Sequence, residues 1–344
     1  MFYLIFGEKM DIAYKLIYTV GIFFVMMTPG VIMKKCGLAT DGLGKGLSNL
    51  VLYIAQPALI LRSYLRAYDS KILVNMLWVF VFSVITHVIF TAVTLPSFKK
   101  SPDSTRRMLR FATIFSNAAF MGMPLIESVI GSEALIYASI YNITFNGFLW
   151  TLGVYICTAN RDVDGDGVDD GEHMRKNDGV NFVKVLLHPT MLAAFIGLVC
   201  FFFSFDASVP KENMPIYARF MVEVLDGLKS LVAPLSMIVL GLRLAEIDLK
   251  GFFRQKDMYL CLTLRHILLP AIVFAVMRVT TLVVDIHIDV LTSVLIMASA
   301  PVATSATMFA EKYDCDSAYV SKVVAVSTII SIVTMPLMAL LLMI

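Results

Sequence analysis

Phe115-Ser116-Asn117-Ala118-Ala119-Phe120-Met121-Gly122-Met123-Pro124-Leu125 lies in the middle of an apolar stretch, Leu109 to Ile130, long enough to cross a bilayer. Proline has no N–H and disfavours helical geometry at the residue before it, so Met123-Pro124 is expected to break that helix part-way across. Gly122 adds backbone freedom beside the break. Broken backbone is tolerated at membrane depth only where protein or a wet cavity satisfies its polar groups. The stretch therefore predicts an all-α membrane protein with a polar site inside it.

Three other apolar segments are interrupted in the same way: Leu43 to Leu61 by Pro57, Met221 to Leu244 by Pro234, and Val290 to Met308 by Pro301. Six uninterrupted segments lie around them: Ile12 to Met33, Ile72 to Leu95, Leu135 to Cys157, Val185 to Phe205, Tyr259 to Val279 and Val320 to Ile344. In each half the order is plain, interrupted, plain, interrupted, plain. Pro57 and Pro124 are 67 residues apart, and so are Pro234 and Pro301. The pattern predicts ten transmembrane helices in two five-helix repeats, residues 1–157 and 185–344, joined by a linker at 158–184. An odd number of spans per repeat makes the two copies inverted. Corresponding interrupted segments in two halves point to the binding site of a secondary transporter.

Composition agrees with a bilayer as solvent. Of 344 residues 58% are hydrophobic and only 16% charged, with a mean hydropathy of +0.80. Soluble domains carry about 25% charged residues, so a soluble enzyme, a disordered regulator and a nucleic-acid binder are all excluded. The net charge of +2 gives no reason to invoke an acidic partner. Five scattered cysteines, without a C-x-x-C pair, read as small core residues rather than metal ligands or disulfides. No zinc-hydrolase, nucleophile-elbow, Walker or dinucleotide pattern occurs, so neither an enzyme nor a cofactor is expected.

Orientation follows from the basic residues. The odd-numbered loops between spans hold 17 Lys and Arg, including Lys34, Lys45, Arg106, Arg243 and Lys312; the even-numbered loops hold six, including Arg62, Arg66 and Lys211. The odd loops are expected in the cytoplasm, with both termini outside a multi-pass protein of the inner (plasma) membrane. No basic leader or small-residue cleavage site precedes the first span, which is expected to stay in the mature protein. The linker contains Asp162, Asp164, Asp166 and Gly167, the opening of a calcium loop, but His173 stands where a bidentate Glu is required. It reads as a solvated acidic linker, with calcium binding as the alternative.

The Phe115 to Leu125 stretch resembles the S-N-x-x-F-M-G-I-P-L motif of the auxin efflux carrier family, whose bacterial members look like organic-acid permeases. Ile140-Tyr141-Asn142-Ile143-Thr144-Phe145-Asn146, Leu149-Trp150-Thr151-Leu152-Gly153-Val154-Tyr155, Leu187-His188-Pro189, Ala233-Pro234-Leu235 and Leu240-Gly241-Leu242 are similar to the family as well. The acidic linker is a departure, as is Ala119, where glycine is frequent in bacterial relatives. The resemblance implies a scaffold of spans 1, 2, 6 and 7, a transport domain of spans 3–5 and 8–10, elevator-like motion and a homodimer. It further implies a small organic anion, a dicarboxylate or an aromatic weak acid, as substrate, with the asparagine at the position of Asn117 contacting it.

Crossed broken helices supply the chemistry. Each half-helix N-terminus offers unpaired N–H groups and roughly half a positive charge, which binds a carboxylate without a buried arginine in spans four or nine. Asn117, two turns before Pro124, can donate to a carboxylate or make an interhelical bond. Met121, Gly122 and Pro124 on one side and Ser299, Pro301, Thr304 and Ser305 on the other complete the expected crossing. Asn142 and Asn146 share a helix face and either line the cavity or pin their helix. For proton or sodium coupling, the intramembrane ionisable residues are His87, Glu127, Asp226, Lys229, Arg265 and His266. Asp226 and Lys229 can pair with each other, which leaves Glu127, a carboxylate nearly alone near the crossing, as the leading candidate. Two rivals are a sodium-coupled symporter of the bile-acid type, which wants clustered carboxylates at the crossing, and a membrane receptor that binds a ligand without moving it.

Overall fold

The computed structural model describes residues 2–40, 42–158, 186–247 and 255–341. The acidic linker and its possible calcium loop lie outside the described residues, as do Val185 and Ile344, the expected ends of two spans.

The described chain is helical: α1 (Phe2–Lys35), α2 (Leu43–Leu50), α3 (Gln56–Tyr64), α4 (Ser70–Thr94), α5 (Asp103–Ile114), α6 (Met123–Val129), α7 (Leu135–Phe148), α8 (Val154–Thr158), α9 (Pro189–Phe202), α10 (Ile216–Lys229), α11 (Val232–Ala245), α12 (Lys256–Thr263), α13 (Leu269–Thr281), α14 (Ile288–Ser299), α15 (Ser305–Lys312) and α16 (Ser317–Leu340). Five helical stretches among the described residues are long and apolar enough to cross a membrane: Tyr14–Lys35, Ser70–Thr94, Ile216–Ala245, Lys256–Thr281 and Ser317–Met338. Shorter apolar helices, among them Ala118–Val129, Pro189–Phe202 and Ile288–Ser299, fill the space between. Large apolar side chains such as Val25, Phe80, Phe195 and Phe220 are exposed on the outer helix faces, as expected where the solvent is lipid.

Helix packing has the same form in two places. α1 lies along α11, and α9 lies along α3. In the first pair Gly30 faces the Ile238 carbonyl and Gly241 faces the Met27 carbonyl, so close that a Cβ on either glycine would strike backbone. In the second pair Gly197 lies against the ring of Tyr64, which is fully buried. Small residues at such contacts let helices approach where no hydrophobic effect drives them together.

Pro124 does not break its helix, contrary to the expectation from its chemistry. A five-residue π turn, Ala118–Gly122, runs directly into α6, and Pro124 sits in the first turn of that helix. Met123 N–H donates to the Ala118 carbonyl, five residues back, so the ladder widens by one residue just where proline removes a donor. Pro57 follows the π turn Val51–Ala55 and Pro270 follows the π turn Leu264–Leu268 in the same way. The 67-residue spacing of Pro57 and Pro124 thus marks a recurring π turn rather than a recurring break. Pro124→Ala is accordingly expected to leave the fold in place and to change stability by only about 0.4–1 kcal/mol, as for a proline in a compatible conformation. A thermal unfolding curve of the purified variant checks this.

The break itself lies upstream. α5 stops at Ile114, Phe115 and Asn117 are non-helical, and helix resumes at Ala118. In the second half α14 stops at Ser299, Ala300 is extended (φ −58°, ψ 150°) as a residue before proline should be, and α15 starts at Ser305. The two unwound segments meet. Ser116 and Val302 form an antiparallel bridge; Asn117 N–H donates to the Pro301 carbonyl at 2.7 Å and Ala303 N–H to the Phe115 carbonyl at 2.9 Å. Each segment satisfies the other's backbone, which is how non-helical chain survives at this depth.

Candidate functional site

The crossing is the polar centre of an otherwise apolar core. Four half-helices end there: α5 and α14 by their C-termini, the Ala118–Val129 helix and α15 by their N-termini. A helix end leaves its last carbonyls or first N–H groups unpaired, so each end needs a partner.

The C-terminal ends find one in Arg265, which is fully buried. Its Nη2 donates to the carbonyls of Ala298 and Ala300, both at 2.8 Å, and its Nε to Ala300 at 3.1 Å. Its Nη1 donates to the carbonyls of Thr113 and Ile114 at 3.3 and 3.4 Å. The carbonyls at the ends of both α5 and α14 thus converge on one guanidinium. Arg265 is a candidate for ion coupling in the sequence; its partners here are backbone, drawn from two helices more than thirty residues away on one side and 150 on the other. A second buried network holds the unwound chain from behind: Val302 N–H donates to Ser327 Oγ at 2.8 Å, and Ser327 Oγ bonds His266 Nε2 at 2.7 Å. Thr334 Oγ1 occupies the other ring nitrogen of His266 at 2.9 Å.

The N-terminal ends are different. Asn117 is 3% exposed, its backbone carbonyl accepts from Met121 and Gly122 N–H, and its side-chain Nδ2 has no partner. It caps the Ala118–Gly122 turn by position but makes no side-chain cap bond. At the other N-terminus the buried Ser305 Oγ also has no partner. Ser236 Oγ is a third such atom, on α11, the helix that packs against the Ala118–Gly122 turn. Buried polar groups are nearly always paired, so the unfilled donors at the two half-helix N-termini make the crossing the candidate site.

The other expected residues fall as follows. Met121 is fully buried and accepts a weak bond from Ser331 Oγ at its sulfur. Gly122 faces the Met297 sulfur, 2.6 Å from an added Cβ, so any side chain there would require the methionine side chain of α14 to move. Pro301 lies at the crossing, and its carbonyl receives Asn117. Ser299 bonds back to the Leu295 carbonyl at 2.7 Å, a local bond that leaves it no free proton. Thr304 is buried, and its carbonyl accepts from Arg243 Nη1 at 3.3 Å. Asn142 is buried, and Asn146 Nδ2 donates to the backbone carbonyl of Asn142 at 2.8 Å, a bond within their own helix.

Glu127 is not the solitary carboxylate that the sequence implies. Lys229 Nζ lies 3.2 Å from it and 3.8 Å from Asp226, and Asp226 also pairs with Arg62 at 3.0 Å and Lys211 at 3.3 Å. Sequence reasoning missed Gln56 as well, whose buried amide donates to the Ala119 carbonyl at 3.3 Å. Its position directly before Pro57, in a segment already singled out as interrupted, was the available signal.

Two cavities lie outside the crossing, and no residue of the crossing lines either of them. One of about 770 Å³ runs beside α15, with Thr307, Met308 and Glu311 on that wall and Lys34, Lys45, Ser48, Arg243 and Lys312 among its other lining residues. The other, about 360 Å³, lies at the opposite end of α3 and is lined by Arg62, Arg66, Glu133, Lys211 and Lys229 among others. Both are rich in cations. Among the described residues no His, Cys, Asp and Glu cluster could hold a metal ion.

Comparison with known proteins covers nearly the whole chain. The family described as "Membrane transport protein" matches residues 16–339. An "Uncharacterized transporter" of the archaeon Methanothermobacter thermautotrophicus is 25% identical over 319 residues, 91% of this chain and 94% of the relative. A mouse "Lysosomal cholesterol signaling protein" is 24% identical over 326 residues, 90% of this chain but 35% of the relative, so the chain spans about a third of that protein.

Proposed function

The chain belongs to the auxin efflux carrier family of membrane transport proteins, and from that premise we propose that it is a secondary transporter of small organic anions, a dicarboxylate or an aromatic weak acid. The observation that carries this reading is the pair of half-helix N-termini at the crossing, each with a buried polar side-chain atom, Asn117 Nδ2 and Ser305 Oγ, that no group among the described residues satisfies. Aligned peptide dipoles put roughly half a positive charge at each such end, and a carboxylate takes both the charge and the orphaned donors. Two cavities elsewhere in the molecule, each with Lys and Arg prominent in its lining, support the sign of the substrate.

We read ten spans in two inverted repeats. The matching pairs, α1 on α11 and α9 on α3, and the reciprocal bonds at the crossing support that symmetry. The scaffold is then α1 to α3 with α9 to α11, and the remaining helices form the module that carries the anion. Odd loops are cytoplasmic and the termini outside, so the 770 Å³ cavity beside Lys34, Lys45 and Lys312 opens inward. On the outer side two ion pairs join the parts: Lys229 of α10 to Glu127 of α6 at 3.2 Å, and Arg66 to Glu133 at 3.3 Å. They hold the outer edge closed while the inner cavity is open, so Glu127 acts as one half of a latch. Cysteines replacing Glu127 and Lys229, in a background without the native five, should cross-link under oxidation and stop transport until reduced. Transport that continues after full cross-linking would contradict the motion.

A ligand binder that does not translocate is the competing reading, favoured by the name of the mouse relative. Binding is tested first. A panel of dicarboxylates and aromatic acids is screened by thermal shift, where a ligand at 100 times its Kd stabilises by about 2.7 kcal/mol. No shift with any anion, and a shift with sterols alone, would overturn the anion reading.

A further inference from the structure

We propose that Arg265 is the resident cation of the crossing: its guanidinium fills the place at the two half-helix C-termini where a cation-coupled carrier would bind its ion. The end of a helix carries roughly half a negative charge, so α5 and α14 together present about one. Arg265 brings one positive charge into the same spot, and its nitrogens donate to the terminal carbonyls of both helices: Thr113 and Ile114 of one, Ala298 and Ala300 at the end of the other. The match in both charge and donor number is close to complete.

The setting excludes the ordinary explanation of a buried arginine. Arg265 has no exposed surface, and among the described residues no carboxylate forms an ion pair with it. The Phe90 ring lies 5.2 Å from its guanidinium carbon. An unpaired buried cation is costly, which makes the carbonyls its counter-charge rather than incidental acceptors. Four backbone oxygens gathered from two helix ends are also the hard-oxygen donor set that an alkali cation takes. A side chain that holds those oxygens permanently leaves none for sodium. The cation argument stands on this geometry; its consequence, that the anion moves without a metal cation bound at the crossing, rests on the transporter reading.

The test measures cation dependence of unfolding in purified protein at constant ionic strength, with choline as the inert reference and no anion added beyond chloride. Wild type should unfold at the same temperature in sodium, lithium and choline. Arg265→Ala should unfold about 4–7 °C lower in choline, and a small cation, sodium or lithium, should recover part of that loss in a saturable way. A packing role would lower stability without creating any cation dependence. Saturable stabilisation of wild type by sodium, or an Arg265→Ala protein that answers to no cation, overturns the proposal. Where Arg265→Ala cannot be purified, Arg265→Lys and Arg265→Met decide. Lysine keeps the charge and should give folded protein, methionine keeps the bulk and should not, and equal yields of the two overturn it. Because every arm reads stability and not anion binding, failure here leaves the carrier reading standing.

Discussion

Asn117→Ala is expected to abolish high-affinity anion binding while leaving a folded protein. The side chain makes no hydrogen bond from Nδ2 and no cap bond, so nothing in the protein depends on that amide. The backbone of residue 117, which does hold the crossing through the Pro301 carbonyl at 2.7 Å, is unchanged by the substitution. A lost hydrogen bond to a charged group costs about 1.5–3 kcal/mol, roughly ten- to more than a hundredfold in affinity. Ser305→Ala should act in the same direction with a smaller loss, since its atom is a neutral hydroxyl. Calorimetric titration of the anion found by thermal shift measures both, and unchanged affinity in Asn117→Ala would move the site away from the crossing.

Gly241→Val is expected to have the opposite character: loss of stability whatever the ligand. An added Cβ there would meet the Met27 carbonyl of α1, and backbone cannot step aside as a flexible side chain can. The same holds for Gly30 against Ile238 from the facing helix. Overpacking a tight contact costs typically 1–3 kcal/mol and more where neither side yields, here about 3 kcal/mol or above. The unfolding temperature should fall by about 4 °C or more. Gly46→Ala is the control: a Cβ there meets nothing within 4 Å, and the exchange in an exposed helix should stabilise by about 0.5–1 kcal/mol. Equal behaviour of the two variants would mean that α1 and α11 do not pack as described.

How much was legible in the sequence depends on the distance over which each feature is determined. The class of fold followed from hydropathy, and the meeting of two broken helices followed from Pro124 and Pro301 together. Pro301 was read correctly because the residue before it, Ala300, takes up the extended conformation that proline imposes. Pro124 was misread because the missing N–H has a second local solution, the π turn at Ala118–Gly122, that sequence chemistry does not distinguish from a break. The true break at Phe115 to Asn117 contains neither Gly nor Pro. It is held open by partners far along the chain, the 301–303 segment and Arg265, and no local pattern announces them. Glu127 looked solitary for the same reason, since Lys229 is 102 positions away. Arg265 itself was visible as a charge inside an apolar span; what was invisible is that its partners are carbonyls freed by helix ends, which exist only once the two breaks meet.

Counterflow tests the central claim most directly. Proteoliposomes holding wild-type protein and preloaded with unlabelled anion, the ligand identified by thermal shift, are placed in a trace of the same labelled anion with no ion gradient imposed. The account predicts transient accumulation of label in wild type, and none at the same trace concentration in Asn117→Ala. Binding without counterflow in the wild type would make this chain a receptor, and full counterflow in Asn117→Ala would place the anion somewhere other than the crossing.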